Sequence, residues 1–106
     1  MAQGIEFDAL GKRWSLRMNM AALCHVERRL DTTFTKAVDS LKGGSMNALQ
    51  VMFGAALGGK LTDDKVCEII DDLGLEKATG VLGDAVALAF PQDDASQPST
   101  EADAGN

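Results

Sequence analysis

The chain has 106 residues, 45% of them hydrophobic and 25% charged, which fits one small domain and leaves little room for a second. No apolar run approaches the ~20 residues that a membrane-spanning helix requires. The start, Met1-Ala2-Gln3-Gly4-Ile5-Glu6, has neither the basic nor the apolar stretch of a secretory signal, so the expected location is the cytoplasm.

Residues 4–18 read as a β-hairpin. With Gly11-Lys12 as a type II′ turn, Phe7 faces Leu16, Ile5 faces Met18 and Ala9 faces Trp14 on an apolar side. The same register sets Glu6 opposite Arg17, as an ion pair, and Asp8 opposite Ser15 on the polar side. A hairpin alone is marginal in water, so its apolar face must rest on helices or on another chain.

From Asn19 onward the apolar period becomes that of helices. Asn19 caps a first helix with Leu23, Val26 and Leu30 in register, and Thr33 caps a short second one with Phe34, Ala37, Val38 and Leu41. Gly43-Gly44 ends the second helix, and Ser45 caps a third that runs to about Leu57 and closes at Gly58-Gly59. Thr62 caps a fourth, with Asp63 and Asp64 where the helix dipole favours acids, an inward stripe of Val66, Ile69, Ile70 and Leu73, and a stop at Gly74. A fifth, from about Glu76, carries Ala78, Val81, Leu82, Ala85, Val86 and Ala89 on one side until Pro91 blocks it. Gly80 and Gly83 within it read as close-packing points. The fold class is α+β and predominantly helical: an N-terminal hairpin followed by about five short helices. Residues 1–91 form the domain. Residues 92–106 hold no large apolar side chain and read as a disordered acidic tail.

Charge is uneven. Residues 1–60 carry eight basic and five acidic side chains, residues 61–106 two and eleven, within a net charge of -6. The acidic part repels phosphate backbones, and the basic part lacks interleaved aromatics, so nucleic acid is not an expected partner. Cys24 and Cys67 form no metal-ligand or redox spacing and read as small buried residues. His25, the lone histidine, points about 100° away from Cys24 on a helix, a poor arrangement for a nucleophile and its base. Asp71-Asp72-Leu73-Gly74-Leu75-Glu76 is too short for a calcium loop and puts Leu where ligands belong, so these acids read as a solvated helix face. With no phosphate loop, zinc signature or nucleophile elbow, the expectation is a protein without enzymatic activity, metal or cofactor.

The third helix stands out. Met46, Leu49, Phe53, Ala56 and Leu57 share one broad face, Met52 widens it, and Ala48, Val51 and Ala55 make the opposite side apolar too. Such a helix is either the centre of the fold or buried at an interface.

The order of these segments is similar to a known family. Gly4-Ile5-Glu6-Phe7, Gly11-Lys12-Arg13-Trp14-Ser15-Leu16-Arg17, Ala21-Ala22-Leu23 and Val26-Glu27-Arg28-Arg29-Leu30 resemble the start of the small tail assembly chaperones of gene transfer agents and long-tailed, siphovirus-like bacteriophages. Ala55-Ala56-Leu57-Gly58-Gly59, Leu61-Thr62-Asp63-Asp64-Lys65-Val66 and Ile69-Ile70-Asp71-Asp72-Leu73-Gly74-Leu75 extend the resemblance to about residue 90. It implies a cytoplasmic protein of tail morphogenesis that binds the tape-measure protein, keeps it soluble and helps recruit tail-tube protein. A structural minor tail or tail-tube component, and a small regulatory binding module, are the rival readings. The expected partner surface joins the hairpin to the third helix through Trp14, Leu16, Met46, Met52, Phe53 and Leu57, with Trp14 and Phe53 as aromatic anchors. The alternative is that these residues are plain core. Open hairpin edges leave self-association into a homo-oligomer open as well.

Overall fold

The computed structural model describes residues 4–90. The expected acidic tail, 92–106, lies outside them. The chain opens with an antiparallel hairpin of β1 (Ile5–Ala9) and β2 (Lys12–Leu16). Its register differs from the expected one. Ile5 pairs with Leu16, Glu6 with Ser15, Phe7 with Trp14, Asp8 with Arg13 and Ala9 with Lys12, so β2 has slid by two residues against β1. The turn residues are Leu10 and Gly11, both with positive φ (54° and 74°), which is the I′ pattern that matches strand twist. A leucine disfavours that conformation. Here the Leu10 N–H donates to Asp72 Oδ2 at 2.8 Å, a tertiary bond that local turn preferences do not reveal. A slip of two conserves the faces, so Phe7, Ala9 and Leu16 still point inward. The expected Glu6–Arg17 pair is replaced by Arg13, which bridges Glu6 at 2.9 Å and Asp8 at 2.8 Å.

Five helices follow: α1 (Met20–Leu30), α2 (Phe34–Lys42), α3 (Met46–Ala56), α4 (Asp63–Leu73) and α5 (Leu75–Ala89). Four begin at the expected caps. The side chains of Asn19, Thr33, Ser45 and Thr62 accept from the N–H groups of Ala22, Lys36, Ala48 and Lys65. The fifth has no side-chain cap, because Gly74 (φ 91°) both ends α4 and starts α5. Glu27 of α1 accepts from the Phe34 N–H at 2.8 Å, tying the start of α2 back onto α1.

Helix α3 is the centre of the fold. It packs against all four other helices and β2, and seven of its eleven residues are buried. Phe53 is completely enclosed and meets the Phe7 ring edge-on at 5.6 Å between centroids. Leu16, Val26, Met52, Val66, Ile69 and Leu82 close around it. The close-packing glycine is Gly54: a Cβ there would meet Val66 Cγ2 at 3.1 Å. Gly80 and Gly83, expected in that role, are exposed, and a Cβ at either would meet nothing within 4 Å. The expectation failed because glycine in a helix pattern signals missing volume without saying which face it lies on.

Three substitutions test these positions. Leu10→Asn keeps the N–H bond to Asp72 and suits positive φ, so it should stabilise the domain by about 0.5–1 kcal/mol in thermal unfolding; a lower melting temperature would disprove the account of the turn. Gly80→Ala should stabilise by about 0.5–1 kcal/mol through helix propensity alone. Gly54→Ala should destabilise instead, because Val66, held in one rotamer by its β-branch, cannot make room.

Candidate functional site

The residues expected to face a partner separate into two groups. Leu16, Met52 and Phe53 are fully buried, so they build the core and offer no surface. Truncating a buried Phe costs about 3–5 kcal/mol, against a total of about 5–15 for a whole domain. An interface that needed Phe53 would therefore compete with the fold itself. Trp14 is half-buried against the core, its Nε1–H donates to the Ala9 carbonyl at 2.8 Å, and Lys12 Nζ lies 5.9 Å from its ring centroid. Leu57, the C-cap of α3, is half-buried. Met46 is 53% exposed at the mouth of a recess of about 370 Å³ shared with Leu49, Ile70 and Leu75.

A larger apolar concavity than this recess lies elsewhere. A groove of about 550 Å³ runs between α1, α2 and the end of α5, lined by Met20, Leu23, Phe34, Val38, Val86 and Phe90. Met20 is 71% exposed, and Phe34 and Phe90 stack at 5.6 Å in a tilted pair that forms one wall. Glu27, Asp39 and Lys42 supply polar rims. Helical winding explains the site. Val26 and Leu30 turn one face of α1 inward, and Met20, Leu23 and Cys24 fall on the adjoining flank, which lines the groove. The sequence signal was present in Met20, an apolar residue at the first helical position outside the Leu23–Val26–Leu30 stripe. What the pattern could not show is that α2 and α5 diverge there enough to leave a channel.

Both cysteines are exposed, against the expectation of burial. Cys24 lines the groove and Cys67 borders the recess beside Met46. Each sits beside an inward stripe: Cys24 next to Leu23, Cys67 next to Val66. Neighbouring helix positions diverge by about 100°, so adjacency to a core residue does not confer burial.

On the other side of α1, Arg29 pairs with Asp63 of α4 at 3.2 Å. Hydrogen bonding from the Gln50 side chain, then from Arg29, holds the Asp63 carboxyl below the ordinary carboxylate range, and the charge of His25 adds to this. Among the described residues, no group of three or more His, Cys, Asp or Glu side chains could hold a metal ion. No described helix is long and apolar enough to cross a membrane.

No protein-family model matches this chain, and no curated protein or solved structure matches it significantly.

The Asp63 arrangement has a testable sign. A depressed carboxyl pKa adds stability that is fully present above the ordinary carboxylate range and is lost as pH falls through the depressed value. Gln50→Ala should move the Asp63 titration, followed by carboxyl NMR, upward toward the ordinary value. An unmoved titration would show that Gln50 does not hold this carboxylate.

Proposed function

We propose that this domain is a tail assembly chaperone of a phage or gene transfer agent, which binds the tape-measure protein in the host cytoplasm and assists tail-tube assembly. The observation that carries the reading is the apolar groove between α1, α2 and α5. A tape-measure protein is a long, largely helical chain, and an amphipathic helix sets apolar residues at i, i+3, i+4 and i+7 into a groove of this kind. Methionine on the wall suits a partner that presents many similar but non-identical segments, because its unbranched side chain adapts to irregular surfaces. The role is non-enzymatic: the groove shields apolar helix surface that would otherwise aggregate. The partner surface thereby moves from the hairpin and α3 to the flank of α1.

Met20→Asp tests the reading with little risk to the fold. The side chain is largely exposed, and an acid at the first helical position is favoured by the helix dipole. The melting temperature should hold or rise slightly. Co-purification with a co-expressed tape-measure protein should fall about tenfold, since a charge replaces an apolar contact buried on binding. In the wild-type complex, Cys24 in the groove should be protected from thiol reagents while Cys67 stays reactive. Undiminished binding by the variant would remove the groove as the site. Failure of the wild-type protein to bind any tape-measure segment would overturn the chaperone reading. Presence of the chain in purified particles would favour a structural tail component, and a gene neighbourhood without tail genes would favour a regulatory module.

A further inference from the structure

A second concavity lies on the opposite flank of α1 and has a different chemistry. It is a cleft of about 520 Å³ bounded by the end of β2, the first turns of α1 and the loop after α3. Three basic side chains, Arg17, His25 and Arg28, line it, and no carboxylate does. That is unusual on a chain with a net charge of -6. Among the described residues, neither Arg17 nor Arg28 has an ion-pair partner, and both are exposed. Asp63, whose charge acts on His25, is already engaged by Arg29. The imidazole is backed by Gly59 (φ 75°), where a Cβ would meet Nδ1 at 3.5 Å, so the glycine loop sets one wall of the cleft. Ala21, Ala22, Ala55 and Ala56 make a floor of small side chains that lets another backbone come close.

The strand edge leads into the same cleft. Arg17 donates its N–H to the Ala56 carbonyl at 2.8 Å, away from β1. In an antiparallel ladder the direction alternates, so Ser15, two residues earlier, also turns its backbone N–H and C=O away from β1. Among the described residues, no backbone group outside the hairpin takes them. An open edge beside two unpaired guanidinium groups is the arrangement that receives an extended peptide bearing carboxylates: the edge supplies main-chain bonds, and each arginine fork supplies a charge-assisted pair.

We propose that the cleft of Arg17, His25 and Arg28 binds an acidic, extended segment of a partner protein, laid along the outer edge of β2. The occupant is a short peptide and not a nucleic acid, because the acidic remainder of the surface repels a long polyanion while a local carboxylate meets only the cleft. The proposal stands apart from the tape-measure reading, since it uses the other flank of α1 and a different ligand chemistry.

The test uses the full chain, isotope-labelled, followed by NMR. The probes are a blocked heptapeptide alternating Asp or Glu with Val or Thr, its Asn/Gln counterpart, inorganic phosphate, and a single-stranded oligonucleotide. The acidic peptide should shift the Ser15 amide and the Arg17 and Arg28 side chains, with an affinity that weakens as salt rises. The uncharged counterpart should not bind. Arg17→Gln and Arg28→Gln should each weaken binding about tenfold with a well-dispersed, folded spectrum, while Lys36→Gln on α2 leaves it unchanged. Unchanged affinity in both arginine variants, or equal binding of the uncharged peptide, would overturn the proposal. So would phosphate matching the acidic peptide without a Ser15 shift, which would make the cleft a simple anion pocket, or tighter binding of the oligonucleotide.

Discussion

Phe53 in the middle of α3, with the Phe7 ring against its edge, joins the two parts of the molecule that differ most in local structure. The hairpin cannot persist alone, and its apolar face needs a surface to rest on. Helix α3 supplies that surface with Phe53, while the Ala56 carbonyl at its C-terminal end takes the Arg17 N–H just beyond β2. The remaining helices pack around the same rod, and Gly54 allows α4 to approach it closely through Val66. A helix that is apolar on nearly every side is sustainable only if most of it is covered, and here seven of its eleven residues are buried. The cost of this design is that only its first turn, at Met46, offers a partner an exposed apolar side chain.

Much of the fold was legible from short-range chemistry. Asn19, Thr33, Ser45 and Thr62 announce helix starts because each side-chain oxygen satisfies an otherwise unbonded N–H one turn later. Gly43-Gly44, Gly58-Gly59 and Gly74 announce the ends. The hairpin was legible as an alternation of apolar and polar residues, but its register was not. Alternation has a period of two, so registers differing by two residues bury the same side chains and are equally consistent with the pattern. The observed register comes with the Leu10–Asp72 bond, a contact across 62 positions of sequence, and with the Arg13 bridge to Glu6 and Asp8.

The functional surface was less legible, for a physical reason. Apolar residues at helical spacing identify a face that avoids water, and core packing and partner binding impose that same demand. Trp14 and Phe53 therefore read as anchors when the structure uses them in the interior, wholly in the case of Phe53. Met20 carried one mark, an apolar side chain outside the core stripe of α1, but that it and Phe34 line a groove depends on how α5 lies relative to α1 and α2. The basic cleft is a similar case: Arg17, His25 and Arg28 are spread over β2's end and two turns of α1, and only the packing of α1 against the end of α3 brings them to one rim.

These two concavities share α1 as their dividing wall, and that limits how they can communicate. Met20, Leu23 and Cys24 face the apolar side, and Ala21, His25 and Arg28 the basic side, while Val26 anchors the helix to the core between them. A close-packed interior transmits strain, so one flank acts on the other through displacement of the helix itself. Coupling would require α1 to shift as a body. That motion is opposed at one end by the Arg29–Asp63 pair on α4 and the Glu27 bond to the start of α2. With both proposed sites filled, these restraints on α1 would favour simultaneous occupancy over competition.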